Sequence, residues 1–140
     1  MTPYLRICLL SMEVVTGILD RATKGPLFAF HPKCKRESIS HLSFADDVLI
    51  FSGATRGSLS IIKQGLELFQ GLSGLHVSHA KSEMFWGGCT ASEGAELVQF
   101  MGFRLGSLPV RYLGVPLITG RLSRVACESL QARMGSRIDG

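Results

Sequence analysis

The sequence predicts an α+β fold from three observations. Apolar residues recur at helical spacing within the first 22 residues, a pattern typical of an amphipathic helix. Two short apolar runs meet at an Asp pair within residues 39–51, as in two strands joined by a turn. A second helical pattern follows over residues 58–73. Separate helices and an antiparallel strand pair are the elements of an α+β domain.

The composition is that of one ordinary folded domain. The chain has 140 residues, of which 46% are hydrophobic and 19% charged, so it can bury a core. The apolar stretch 7–15 contains Glu13, is too short to span a bilayer and has no cleavage site after it. The four cysteines lack short-range pairing, which predicts reduced thiols. We therefore expect an intracellular protein, nuclear or cytoplasmic, that is neither secreted nor membrane-bound.

The first helix is expected to begin at Thr2-Pro3, where a hydroxyl cap precedes a proline. It should end before Gly25-Pro26, and residues 27–30 are expected to form a short strand. Its predicted apolar face consists of Leu5, Cys8, Leu9, Met12, Val15, Leu19 and Ala22.

The hairpin is expected to join a strand over residues 39–45 to a more buried strand over residues 48–51. Alternation in the first strand predicts Leu42 and Phe44 on its buried face. Asp46 and Asp47 should lie at an exposed tip, because burial of unpaired charge is costly. Two carboxylates at such a tip suit a hard divalent cation.

The rest of the chain alternates short helices and strands. The second helix should bury Leu59, Ile62, Leu66 and Phe69, while Gly65 and Gly71 weaken it by about 1 kcal/mol each. A capping-box pattern, Thr90-x-x-Glu93, predicts a third helix that ends at Gly102. Further expectations are strands at 75–77, 84–86 and 110–113, the last fenced by Pro109 and Pro116, and a helix capped by Ser123.

Positive charge is concentrated at the C-terminal end. The net charge is +4, and residues 1–103 contain nine basic and nine acidic residues. The remaining 37 residues contain six arginines and two acids. Such an excess suits phosphate contact, although a solvated helix face explains it equally well. The arginines are Arg104, Arg111, Arg121, Arg124, Arg133 and Arg137.

Four motifs carry a resemblance to one family. Phe-Ala-Asp-Asp with its apolar frame resembles the catalytic hairpin of the reverse transcriptases of plant non-LTR (LINE-type) retrotransposons. Thr-Pro-Tyr-Leu is similar to the preceding helix, and Gly-Leu-His-Val-Ser-His-Ala-Lys-Ser is similar to a Gly-Leu…Asn…Lys-Ser motif, with Ser78 in the place of Asn. Tyr-Leu-Gly-Val-Pro-Leu matches a further signature. The resemblance implies a partial polymerase palm over residues 1–88, its catalytic hairpin packed on helices, and the start of a small mixed thumb-like segment over 89–140.

The resemblance also implies a chemistry and its partners. By this resemblance Asp46 would be the main ligand of Mg²⁺, with Mn²⁺ as an alternative, and Asp47 would be the second carboxylate, either a partial ligand or an aid to the local field. Lys81 neutralises or protonates the leaving pyrophosphate. The partners are an RNA template, a DNA primer and dNTPs. Phosphate contacts are expected from Arg104, Arg111, Arg121 and Arg124.

The family pattern also includes parts that this sequence lacks. The family's third carboxylate lies on an earlier strand, whereas Glu13, Asp20 and Glu37 lie in a predicted helix or a basic loop. The fingers and a Gly-Asp-Pro-Leu stretch are not found. We therefore expect a fragment that is inactive alone. The alternatives are a non-enzymatic nucleic-acid-binding retroelement remnant and, less favoured, a metal-dependent nuclease.

Overall fold

The computed structural model describes residues 3–44, 47–107, 110–112, 115–117 and 128 of the chain. The chain divides into two compact units, Met1–Arg104 and Leu105–Gly140, while the predicted division between palm and thumb at residue 88 stays a prediction. The described residues are mixed helix and strand, so the α+β class is confirmed. The elements are α1 (Pro3–Ala22), β1 (His41–Phe44), β2 (Asp47–Ile50), α2 (Arg56–Ser73), β3 (Glu83–Met84), α3 (Ala91–Met101), β4 (Arg104–Leu105), β5 (Val110–Tyr112) and β6 (Val115–Leu117).

Helices α1 and α2 pack together through an apolar cluster. Val15 and Leu19 of α1 are buried with Phe69 of α2, as the helical periodicity predicts. The two helices approach closely at Gly65 of α2, where a Cβ atom would lie 3.4 Å from the Cγ2 atom of Ile18. Glycine lowers the helix propensity at this position. Because it has no side chain, however, it allows the two helices to approach closely.

Strands β1 and β2 form the predicted antiparallel hairpin. His41 lies opposite Ile50, and Phe44 lies opposite Asp47. Val48 and Ile50 of β2 pack against the cluster between α1 and α2. The hairpin is therefore held on the two helices by the apolar side chains of its second strand.

The predicted buried face of β1 is wrong at Leu42, which is 47% exposed. Leu42 lies opposite Leu49, whereas Ser43 lies opposite Val48. Directly opposed residues of an antiparallel pair share a face of the sheet. Because Val48 packs on the helices, Leu42 is on the other face.

A second apolar cluster joins α2 to α3. Leu59 and Ile62 of α2 are buried with Leu97 and Met101 of α3, together with Phe28 from the connection after α1. The two clusters share some half-buried neighbours, among them Ile50. The unit Met1–Arg104 thus has a continuous apolar interior beneath the hairpin.

The strand predicted for residues 27–30 is wrong, because this stretch is bonded to the start of α2 instead. The backbone N–H of Ala29 donates to the hydroxyl of Ser58 at 2.8 Å, and its carbonyl accepts from the N–H of Gly53 at 2.7 Å. Ser58 is fully buried. Its hydroxyl also accepts a hydrogen bond from the hydroxyl of Thr55 at 2.8 Å. These bonds satisfy the backbone locally without a strand partner.

Helix α2 begins at Arg56, two residues before the predicted start. Thr55 is its N-cap, since the hydroxyl of Thr55 accepts from the N–H of Ser58. The helix ends as predicted at Gly74, which has a left-handed φ of +71°. Residues 75–77 do not form the predicted strand. The side-chain oxygen of Gln70 instead accepts the N–H of Val77 at 3.3 Å.

Helix α3 has the predicted capping box between Thr90 and Glu93, and it ends at Gly102. The indole of Trp86 covers Gly94 of this helix, where a Cβ atom would overlap the ring. The indole N–H is buried and has no hydrogen-bond partner among the described residues. Trp86 is therefore held on α3 by apolar contact.

In the second unit, the described residues include the antiparallel pair β5–β6. Val110 of β5 lies opposite Leu117 of β6, and Arg111 lies opposite Pro116. Pro116 was expected to end a strand, and it lies within β6 instead, which a two-stranded pair permits because each strand has a free edge. Of the helix predicted from Ser123, the structure describes Glu128 alone, which is helical, and the rest of this prediction lies outside the described residues. Across the described chain, we find no helix with the length and apolar character needed to cross a bilayer.

Candidate functional site

The turn end of the β1–β2 hairpin carries the acidic motif. Phe44 and Asp47 form the last pair of the ladder, so Asp47 lies where the two strands meet the connecting residues 45 and 46. Asp46, the other predicted ligand, lies outside the described residues. The side chain of Asp47 is exposed, as predicted for a carboxylate at a hairpin tip.

The hairpin is apolar at one end and charged at the other. Val48, Leu49 and Ile50 are half-buried, whereas Asp47 is exposed. The Cα pairing also places Asp47 on the face of Leu49, opposite the face that packs on the helices. The carboxylate is therefore carried on an anchored strand and is turned toward solvent.

An exposed carboxylate fits a hard divalent cation in its chemistry, because Mg²⁺ keeps several waters and takes few protein oxygens. Among the described side chains, no three His, Cys, Asp or Glu residues cluster closely enough to hold a metal ion. Asp46 is not within that set. A cation at Asp47 would therefore need further oxygen ligands, from Asp46 or from water.

Lys81 lies in the turn between α2 and β3, and it is exposed. The backbone N–H groups of Lys81 and Ser82 both donate to the carbonyl of Ser78, at 3.2 and 2.9 Å. Within the described residues, no carboxylate forms an ion pair with Lys81. We find no hydrogen bond or ion pair between Lys81 and Asp47 in the described part, so the structure does not bring these two predicted site residues together.

The predicted phosphate-contacting arginines have different surroundings. Arg104 pairs with Glu83, with 3.2 Å between its Nη2 atom and the carboxylate oxygen Oε1. Arg111 lies in β5, opposite Pro116. Arg121 and Arg124 lie outside the described residues. Only Arg104 therefore has a described environment, and there it has a local structural role.

Sequence reasoning missed a cluster of two cations around one phenyl ring. Arg56 and Lys63 of α2 each lie over the ring of Phe100 in α3, 4.9 Å from its centroid. Lys63 also donates to the backbone carbonyl of Phe100 at 3.1 Å. The spacing of seven residues along α2, two helical turns, was the available signal. These contacts attach α3 to α2.

A shallow cavity of about 320 Å³ lies beside this cluster. Its wall includes the ionisable side chains Arg56, Glu93 and Glu96. Hydrogen bonds from the backbone N–H and the hydroxyl of Thr90 hold the pKa of Glu93 below its ordinary value. The carboxylate of Glu93 thus accepts the hydrogen bonds of the helix cap. The complete lining is Ala54, Arg56, Gly88, Cys89, Glu93, Glu96, Leu97 and Phe100.

Comparison with known proteins gives no relative for this chain. No family model, no curated protein and no solved structure matches it. The resemblance to reverse transcriptases therefore depends on the motif residues themselves.

Proposed function

We propose that this chain is part of the palm of an RNA-directed DNA polymerase of the non-LTR retrotransposon type. In this proposal the β1–β2 hairpin presents Asp46 and Asp47 to Mg²⁺ during addition of a dNTP to a primer 3′-hydroxyl. The observation that supports it is the antiparallel hairpin itself, whose last pair, Phe44 and Asp47, brings an exposed carboxylate to the turn end.

In this proposal the hairpin would supply two of the carboxylates that two-metal chemistry requires, and the third would come from an earlier strand that this sequence lacks. Bound Mg²⁺ activates the attacking hydroxyl and offsets the charge that develops on the leaving oxygens. The carboxylates of Asp46 and Asp47 would hold the cation, and neither would change covalently. Val48 and Ile50 pack on α1 and α2, which keeps the strand that carries Asp47 in place. The ammonium of Lys81 donates a proton or a hydrogen bond to the pyrophosphate.

The proposal is tested by binding of Mn²⁺ to the ¹⁵N-labelled 140-residue chain. Paramagnetic broadening should be strongest at the amides of Asp47 and Val48. The double variant Asp46→Asn/Asp47→Asn should lose it. Asp20→Asn is the matched control, because Asp20 is an exposed acid near the end of α1, and it should leave the broadening unchanged. Equal broadening at all exposed acids, or none at the hairpin, would overturn the proposal.

Nucleic-acid binding without catalysis is the second candidate, and the arginine excess of residues 104–140 favours it. Phosphate contact releases counterions, so affinity for an RNA–DNA hybrid should fall with salt, with a log–log slope of about −0.9 for each neutralised phosphate on B-form DNA. Replacement of Arg121 and Arg124 by Gln should lower the magnitude of this slope by up to about 2. Hybrid binding together with an absence of Mn²⁺ broadening at Asp47 would favour this second function.

A further inference from the structure

The turn that carries Lys81 is fastened at both ends to the short segment after α3. At one end, Nδ1 of His79 lies 3.2 Å from the carbonyl oxygen of Gly102, and the His79 ring lies 5.3 Å from the ring of Phe103. At the other end, the backbone N–H of Arg104 donates to the carbonyl of Ser82 at 3.4 Å. Three consecutive residues, 102–104, thus hold one turn.

The bond between His79 and Gly102 determines which ring nitrogen carries the proton. A backbone carbonyl only accepts hydrogen bonds, so Nδ1 of His79 must be the donor in both the neutral and the protonated ring. The bond joins residues 23 positions apart. Since Gly102 caps α3 with a left-handed φ of +74°, the His79 ring lies at the C-terminal end of that helix.

The same bond restricts the direction of Lys81. The N–H of Ser82 donates to the carbonyl of Ser78, which is the hydrogen bond of a single α-helical turn. Residues two apart in such a turn point about 200° away from each other. With His79 held against Gly102 and Phe103, Lys81 is directed to the opposite side of the turn, away from the end of α3.

We propose that His79 is a positioning residue for Lys81, which it directs toward the phosphates of a nucleotide or of pyrophosphate. This proposal rests on the proposed function, because that function gives Lys81 its ligand. His79 itself does not touch the ligand. Its role is to keep the turn in one orientation, so that the ammonium does not have to be ordered when the phosphate binds.

The first test is a titration of the 140-residue chain, labelled with ¹³C and ¹⁵N, with inorganic pyrophosphate, followed at the ε-methylene signal of Lys81. His79→Leu removes the N–H that Gly102 accepts, and it should weaken pyrophosphate binding by about threefold to tenfold, the equivalent of one hydrogen bond. His79→Asn keeps an N–H near the position of Nδ1 and should restore affinity to within about twofold. Equal affinity of the wild type and both variants would overturn the proposal.

His76→Leu is the matched control. His76 is also exposed and lies in the same connection, and its Nδ1 is bonded to the side chain of Gln70 at 3.2 Å. It is not in the turn of Lys81, so its replacement should leave the affinity unchanged. A loss equal to that of His79→Leu would show that general loosening of the connection is responsible, and the proposal would be wrong.

A second measurement needs no variant and so does not depend on how His79→Leu folds. Imidazole ¹⁵N shifts of the wild-type chain should identify Nδ1 of neutral His79 as the protonated nitrogen. A neutral ring protonated mainly at Nε2 would overturn the proposal. Loss of Mn²⁺ broadening at Asp47 bears on the polymerase function alone. If that broadening is present and Lys81 does not respond to pyrophosphate, the polymerase function stands and the role of His79 is overturned.

Discussion

The two segments that carry the candidate chemistry are held in place by different means. The hairpin with Asp47 is attached through Val48 and Ile50 to buried apolar clusters. The turn with Lys81 is attached through surface contacts, the His79–Gly102 hydrogen bond and the Arg104–Glu83 ion pair. Apolar burial contributes kilocalories per side chain, whereas exposed ion pairs contribute at most about 1 kcal/mol. The hairpin should therefore be held in place more strongly than the lysine turn.

The largest effect on stability is expected from a cavity in the core beneath the hairpin. Leu19 is 1% exposed, and Leu19→Ala should lower the free energy of unfolding by about 2–5 kcal/mol. Amide exchange at β1 and β2 should rise with it. Leu72→Ala is the control, because Leu72 is 68% exposed, and the loss there should be about 0.5 kcal/mol or less. Similar losses for the two variants in chemical denaturation would contradict the assignment of the core.

Two serines of α2 test whether burial strengthens the contribution of a hydroxyl group to stability. Ser58→Ala removes a fully buried hydroxyl that accepts from the N–H of Ala29 and from the hydroxyl of Thr55, so the free energy of unfolding should fall by about 1–3 kcal/mol. Ser60→Ala, in the same helix, removes a hydroxyl whose hydrogen bond to Gln64 is exposed, and it should cost less. If Ser58→Ala and Ser60→Ala lower the free energy of unfolding equally in chemical denaturation, burial does not strengthen polar contacts in this fold.

The two glycines within α2 differ in how closely α1 packs against them. A Cβ atom at Gly71 has no neighbour within 4 Å, whereas at Gly65 it would meet Ile18. Gly71→Ala should therefore raise the free energy of unfolding by about 1 kcal/mol through helix propensity. Gly65→Ala should give a smaller gain or a loss, because Ile18 must move. An equal gain in thermal unfolding would mean that α1 and α2 are not closely packed.

The contribution of the lysine turn is expected to be small. A double-mutant cycle with Arg104→Gln and Glu83→Gln should give a coupling free energy of about 0.2–1 kcal/mol, reduced by added salt. The measurement is chemical denaturation at low and high NaCl. A coupling free energy of several kcal/mol, unaffected by salt, would mean that the turn is held as strongly as the hairpin.

The smallest effect is expected at the cap of α3. Because the folded-state pKa of Glu93 is lowered by its bonds from Thr90, its carboxylate stabilises the fold above the ordinary glutamate pKa of about 4.3. That contribution is lost as the pH falls through the folded-state pKa. The stability difference between wild type and Glu93→Gln should therefore shrink as the solution is acidified. A difference that grows with acid would contradict the direction of the shift.

Local features of the fold could be predicted from the sequence, and features that depend on distant contacts could not. The capping box of Thr90 and Glu93 and the left-handed glycine at Gly102 involve neighbours in the chain, so their residue types identify them. Alternation in β1 shows that the strand has two faces, but only the contacts of β2 with the helices decide which face is buried. For this reason Leu42 was assigned to the wrong face.

The candidate site divides in the same way. Exposure of Asp47 follows from the cost of burying charge, and it could be predicted from the acidic pair alone. The surroundings of Lys81 could not, because His79 meets Gly102 across 23 residues, and no short motif encodes that contact. Arg104 was predicted to bind phosphate, and its described partner is Glu83, which the charge excess of residues 104–140 could not reveal.

The position of Trp86 on α3 has a practical consequence for spectroscopy. The chain contains a single tryptophan, so all of its intrinsic indole fluorescence arises at the contact with Gly94. The emission should be that of a partly shielded indole, and it should shift to longer wavelength when α3 separates from Trp86. The hairpin contains no indole. Tryptophan emission therefore reports on the contact between Trp86 and α3. If the hairpin opens while α3 stays in place, the tryptophan emission should not change.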